Sequence, residues 1–219
     1  MNDENGNNLS ECVKNDIIVL NMKWVIYKNT FENQKRNELL AEASPIIFSI
    51  FQKLLLDDIA LTLCRLTDPA KTGKKNNNTM YQLIEKKRLN TSALDEVTNK
   101  IKKIRELRNK FLAHSDLTKT LSHFAENTSN GKTVQKLNIP LSINTIDNVI
   151  NEIGSIYNKA TNEHCAFSSI ISPHGPDCGV KMLIDHLKSA LFNEQLIASN
   201  ALEASAFYEE WQQFKHKDA

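Results

Sequence analysis

Residues 101–116 read IKKIRELRNKFLAHSD, and the pattern of this stretch decides how the rest of the chain is interpreted. At about 100° of rotation per residue on a helix, its apolar side chains gather in one arc. The members of this arc are Ile101, Ile104, Leu107, Phe111 and Leu112. Such an arc is typical of an amphipathic helix that packs against a core. The sequence therefore predicts a long helix that ends near Ser115, in a fold built by helix packing.

One charged residue, Arg108, falls inside this apolar arc. A buried guanidinium is costly unless a carboxylate or another anion pairs with it. Two aspartates are the candidate partners of Arg108: Asp57 first, which lies within the most apolar segment, 45–66, and Asp68 second, which lies just after it. The other basic side chains of the stretch point mostly away from the arc and predict an exposed basic face: Lys102, Lys103, Arg105 and Lys110.

Helical periodicity continues on both sides of this stretch. Apolar residues recur at alternating steps of four and three over 13–31, and a similar stripe runs over 143–160. The segment 45–66 is apolar nearly all round, which predicts a central helix of a bundle. The fold class is therefore all-α, a bundle of six to eight helices, with a short hairpin or an extended loop near residues 128–141.

The same patterns divide the chain into a tail and one domain. Residues 1–8 are polar and are expected to be a disordered tail. Residues 9–219 are expected to form a single all-α domain, with a core over 9–160 and a C-terminal helical elaboration over 161–219.

Composition places the chain among ordinary water-soluble proteins, with 41% hydrophobic and 24% charged residues in a length of 219. The first ten residues are polar and resemble no signal segment, and the most apolar segment carries too many charges to span a membrane. The four cysteines lie far apart in sequence, as free thiols of a reducing compartment do. We therefore expect a cytoplasmic protein with no membrane contact.

The net charge of +1 hides a strong asymmetry. Residues 71–110 carry a net charge of +8, so the remainder of the chain carries −7. A basic block of this kind favours an anionic partner such as a nucleic acid. The alternative is a solvated surface with no partner.

Arg108 and His114 are separated by five residues at the end of the basic helix, and Ser115 and Asp116 follow. This arrangement resembles the signature of the HEPN superfamily, in which an arginine and a polar residue precede a histidine. The segment 63–73, LCRLTDPAKTG, resembles the abortive-infection AbiU-type branch of that superfamily. The resemblance covers roughly residues 13–156.

The resemblance implies a metal-independent endoribonuclease that acts in phage defence or as a toxin. It implies a homodimer whose two motifs face one cleft, an RNA substrate, and an antitoxin or another defence-system protein as a partner. His114 would be the general acid or base, and Arg108 would hold the phosphorane oxygens. Asn109 and Asp116 would support them.

Two other interpretations stay open. Arg108 could form a structural salt bridge with Asp57 or Asp68 while His114 caps the helix, which would leave a non-catalytic module that binds RNA, a nucleotide or a protein. A zinc site is the second, because two histidines and two cysteines occur between 164 and 178. Their spacing matches no standard zinc site, so we expect no metal and no cofactor.

Overall fold

The computed structural model describes residues 4–109, 142–167 and 175–198, with side chains described between residues 8 and 195. Within these ranges it contains eight helices and one two-stranded antiparallel hairpin, which confirms the predicted all-α class. The helices are α1 (Glu4–Phe31), α2 (Gln34–Ala43), α3 (Pro45–Leu66), α4 (Met80–Lys86), α5 (Ser92–Lys100), α6 (Lys102–Leu107), α7 (Ile143–Thr161) and α8 (Pro176–Ala198). The hairpin pairs β1 (Lys71–Thr72) with β2 (Lys75–Asn76).

Helix α1 is the centre of the bundle, because it packs against α3, α7 and α8. Its predicted stripe is buried along its whole length, from Val13 to Phe31. The Trp24 indole donates a 2.7 Å hydrogen bond to Asp147 Oδ1 on α7. The helix begins at Glu4, inside the stretch that the sequence analysis expected to be a disordered tail.

Helix α3 is half buried, which corrects the prediction of a fully enclosed central helix. Its C-terminal half is packed in the core, with Ile59, Leu63, Cys64 and Leu66 buried. Its other face exposes a row of large apolar side chains, most of them in the N-terminal half: Ile46, Ile47, Ile50, Phe51, Leu54 and Leu61. An apolar surface of this size is uncommon on a protein that works alone.

The predicted long helix that contains Arg108 is divided by the residue Ile101. Its backbone, at φ −93° and ψ 11°, is not α-helical, so α5 ends before it and α6 begins after it. This single residue changes the rotational phase of α6 relative to α5.

Several predicted features lie outside the described residues. These are the hairpin or loop near 128–141, the end of the Arg108 helix near Ser115 and the segment beyond Ala198. The C-terminal helix α8 packs against both α1 and α2. No helix within the described ranges is long and apolar enough to cross a membrane.

Candidate functional site around Asp68

Asp68 lies just beyond the last turn of α3. Its backbone N–H donates to the carbonyl of Arg65, and Pro69 follows it and prevents the helix from continuing. Thr67 stabilises the same turn, because its hydroxyl donates a 2.8 Å hydrogen bond to the carbonyl of Leu63. The carboxylate is therefore held at the C-terminal end of a helix with 26% of its side chain exposed.

Two arginines from the α6 region converge on this carboxylate. Arg108 Nη1 donates to both oxygens of Asp68, at 2.8 Å to Oδ2 and 3.0 Å to Oδ1. Arg105 Nη1 donates to Oδ1 of the same aspartate. The second nitrogen of Arg105, Nη2, donates to the carbonyl of Thr67 at 2.9 Å and to its hydroxyl at 2.7 Å. Two positive charges thus face one negative charge.

Within the described residues, the pairing uses only part of the hydrogen-bonding capacity of Arg108. Its Nε donates to the side-chain oxygen of its neighbour Asn109 at 3.1 Å, and its contact with Asp68 uses Nη1 alone. Arg108 and Asn109 continue the helix beyond α6 with a π-type turn, a feature that occurs often at functional sites. Because 22% of the Arg108 side chain is exposed, part of the guanidinium is accessible to a ligand.

Cys64 of α3 lies close enough to both arginines for their charges to affect the pKa of its thiol. This residue is completely buried in the last turn of the helix. Burial raises the pKa of its thiol, while the nearby guanidinium groups of Arg108 and Arg105 act in the opposite direction. The positive end of the site therefore reaches into the edge of the core.

The prediction that Asp57 is the first partner of Arg108 is wrong. Asp57 pairs with Lys53 one turn earlier on α3, and Asp68 takes Arg108. Asp57 lies 11 residues before Asp68, about 16 Å along a helix axis, so α6 packs too near the other end to reach it. A carboxylate at a helix C-terminus is disfavoured by the helix dipole unless cations surround it. This signal could have ranked Asp68 above Asp57 from the sequence.

The prediction that Arg105 belongs to an exposed basic face is also wrong. Its guanidinium is bound to Asp68 and Thr67, with 22% of the side chain exposed. Arg105 and Arg108 are three residues apart, so they lie on the same side of the helix and both face the end of α3. Lys102 and Lys103 are exposed, as predicted. Arg105 and Thr67 are the members of this site that sequence reasoning missed.

Asn109 is exposed and touches Arg108, so the structure brings three of the predicted site residues together: Asp68, Arg108 and Asn109. Lys110, His114 and Asp116 lie outside the described residues. Within the described ranges, no group of three or more histidine, cysteine, aspartate or glutamate side chains could hold a metal ion.

Comparison with known families adds a separate line of evidence. The family model named HEPN AbiU2 matches residues 4–171, which is most of the chain. The matched range contains all of α1 to α7, the whole Asp68 site and the segment from Arg108 to His114. No curated protein and no solved structure matches the chain.

Proposed function

The chain belongs to the HEPN family AbiU2, and from this premise we propose that it is a metal-independent endoribonuclease that acts in phage defence or as a toxin. The observation that carries the proposal is the state of Arg108. It is fixed by Asp68, but it is neither fully buried nor fully occupied by hydrogen bonds within the described residues.

The reaction that suits these residues is an internal phosphoryl transfer. The ribose 2′-oxygen attacks the adjacent phosphorus, the bond to the 5′-oxygen breaks, and a 2′,3′-cyclic phosphate forms. One proton leaves the 2′-hydroxyl and another joins the departing 5′-oxygen, and His114 is the candidate to move them because histidine is the usual general acid or base near neutral pH. Arg108 contributes a planar cation that can donate to phosphorane oxygens as negative charge develops.

Asp68 and Arg105 support this role as positioning residues. A carboxylate that binds two guanidinium groups restricts both, which lowers the entropy that Arg108 loses when a phosphate binds. The second arginine also keeps the net charge of the cluster positive, so the carboxylate does not cancel the attraction for a phosphate. The exposed Lys102 and Lys103 on the same helix extend this field toward an RNA backbone.

The exposed face of α3 supports the homodimer part of the proposal. Ile47, Phe51, Leu54 and Leu61 recur at steps of four, three and seven residues, the spacing of a helix-packing seam. A second copy of this chain presents the same seam, and the pairing would bury it on both sides. The Asp68 site lies beyond one end of α3. Whether the two α3 helices pair in parallel or antiparallel therefore decides if the two Asp68 sites lie at the same end of the dimer or at opposite ends.

For two sites to share one cleft, the paired α3 helices must run in the same direction. An antiparallel pairing centred on Leu54 would put the two Asp68 residues about 40 Å apart, because each lies 14 residues from the centre at 1.5 Å per residue. We therefore propose a parallel pairing, with both Arg108 side chains at one end of the dimer.

The proposal further places the protein in the cytoplasm, with an antitoxin or a defence-system protein as its regulator. The four free cysteines agree with a reducing compartment. A protein that cleaves RNA needs control in its own cell, and the family assignment gives the defence context.

The second candidate function is a non-catalytic module that binds RNA, a nucleotide or a protein. It is favoured by the ion pair itself, because an arginine held by an aspartate also has a structural use. Binding to RNA that weakens steeply with salt, without cleavage, would identify this case.

The deciding experiment is an RNA-cleavage assay with the purified full chain in the presence of a metal chelator. Wild type is expected to cleave single-stranded RNA and leave cyclic phosphate ends. The variant His114→Ala is expected to lose cleavage while its circular dichroism spectrum and oligomeric state stay unchanged. Undiminished cleavage by folded His114→Ala would contradict the proposal, and so would wild type that binds RNA without cutting it.

A further inference from the structure

A polar cavity of about 620 Å³ lies beside the Asp68 site, between α1, the end of α3 and the hairpin. Its volume is in the range of small-molecule binding sites. Asp68 is one of the residues that line it, so the carboxylate that holds Arg108 is also a wall of this cavity.

The lining is rich in side chains that have hydrogen-bonding groups to spare. Asn15, Asn76 and Asn78 contribute amides, and none of the three makes a side-chain hydrogen bond within the described residues. An amide carries two N–H donors and one carbonyl acceptor. The cavity can therefore form hydrogen bonds with a planar polar group that has donors and acceptors along one edge.

The charges of the lining favour a neutral ligand over a phosphate. Asp16 accepts a 2.7 Å hydrogen bond from Arg65 Nη2 through its Oδ1, and Asp68 is bound by Arg105 and Arg108. Each carboxylate in the wall is thus compensated, and a phosphate there would meet two carboxylates. The uncompensated positive charge lies on the Arg108 side of Asp68. The arrangement separates a region for an anion from a region for a neutral polar ring.

We propose that this cavity binds one unpaired nucleobase of the RNA, next to the phosphate that Arg108 holds. This inference rests on the proposed function, which supplies the RNA. Among the four bases, guanine presents two adjacent N–H donors on its Watson–Crick edge, which suit Asp16 Oδ2 together with an amide oxygen of a lining asparagine, since Arg65 binds Asp16 Oδ1. Recognition of a splayed-out base by its edge is the usual route to sequence preference for single-stranded RNA.

The test measures binding without cleavage. The probes are fluorescein-labelled 2′-O-methyl trinucleotides UGU, UAU, UCU and UUU, in which the blocked 2′-oxygen cannot attack. Fluorescence anisotropy with the full-length wild type is expected to show that UGU binds about tenfold more tightly than UUU, the effect of one good base contact. Asn15→Ala and Asn78→Ala are expected to remove most of this preference and to leave the weak binding of UUU unchanged.

Asn151→Ala is the matched control, because Asn151 is an exposed asparagine of α7 that does not line the cavity. It should keep the wild-type preference. Equal binding of the four probes by wild type, or an unchanged preference in both cavity variants, would overturn the inference. Equal binding together with RNA cleavage would refute the base site alone. A preference for UGU without any cleavage would support the base site and refute the nuclease.

Discussion

Arg108 and Asp68 lie 40 residues apart in sequence and form an ion pair in which a single nitrogen, Arg108 Nη1, lies 2.8 and 3.0 Å from the two carboxylate oxygens. The contact joins the end of α3 to the region that carries the candidate chemistry. It also connects three features: the edge of the core at Cys64, the polar cavity and the exposed basic side chains of α6.

Removal of the Asp68 carboxylate should destabilise the protein. Asp68→Ala leaves two largely buried guanidinium groups without their shared partner, and we expect a loss of roughly 1–3 kcal/mol in the free energy of unfolding. Urea denaturation measures it. The matched control is Asp57→Ala, which breaks only the surface pair with Lys53 and should change stability by about 0.5 kcal/mol or less. Equal losses in the two variants would show that Asp68 has no special structural role.

Replacement of Arg108 by lysine should affect cleavage more than stability. Arg108→Lys keeps the positive charge but loses the planar fork, so cleavage should fall by about 100-fold, the cost of one transition-state donor. Arg105→Lys is the comparison, because Arg105 binds Asp68 and Thr67 and has a structural task. It should lower the melting temperature and keep cleavage within about threefold of wild type at temperatures where it is folded. Equal effects of the two variants on cleavage would argue that Arg108, like Arg105, is structural.

A charge on the exposed face of α3 should separate the dimer. Leu54 lies at the middle of the seam with 62% of its surface exposed, so Leu54→Glu should not disturb the monomer core. Light scattering coupled to size-exclusion chromatography is expected to show a dimer for wild type and a monomer for the variant. A wild-type monomer, or a dimer that Leu54→Glu leaves intact, would contradict this interface.

Engineered cysteines should reveal the polarity of the same pairing. In a parallel dimer each residue of the seam faces its own copy, so Ile47→Cys and Leu61→Cys should both give disulfide-linked dimers under mild oxidation. In an antiparallel dimer only a position near the centre, such as Leu54→Cys, would do so. Non-reducing gel electrophoresis measures the products, and wild type with its own four cysteines gives the background.

Acid should weaken the protein partly through Glu163. Its pKa is lowered from 4.5, chiefly by the hydrogen bond from Lys14, whose Nζ lies 2.7 Å from Glu163 Oε2. Because the folded state favours the ionised carboxylate, this contribution is present above the ordinary pKa of glutamate and is lost as the pH falls through the lowered value. The free energy of unfolding, measured by urea denaturation between about pH 6 and pH 3, should decline less steeply in Glu163→Gln.

Lys14→Met provides the internal check on this prediction, because it removes the largest cause of the lowered pKa and leaves the carboxylate. It should flatten the acid decline in part and by less than Glu163→Gln does, because Cys165 and Tyr157 also donate to Glu163, and the double variant should behave as Glu163→Gln. If the free energy of unfolding of either single variant declines with acid as steeply as that of wild type, the acid sensitivity comes from other carboxylates.

Local pattern was enough to predict the helices that bury one face. The stripes on α1 and α7 follow from the spacing of apolar side chains along one helix. The Arg108 problem was also visible, because a charge inside an apolar arc requires a partner wherever the chain goes. The resemblance to the HEPN superfamily rested on the same residues and is confirmed by the family match.

Only the tertiary structure decided which partner Arg108 takes and which surfaces stay open. The choice of Asp68 over Asp57 and the inclusion of Arg105 both depend on where α6 crosses α3. The exposure of Leu54 and the cavity beside Asn15 depend likewise on how helices are placed in space. A sequence specifies which faces are apolar through contacts along one helix, but the pairing of those faces is set by long-range packing that periodicity does not encode.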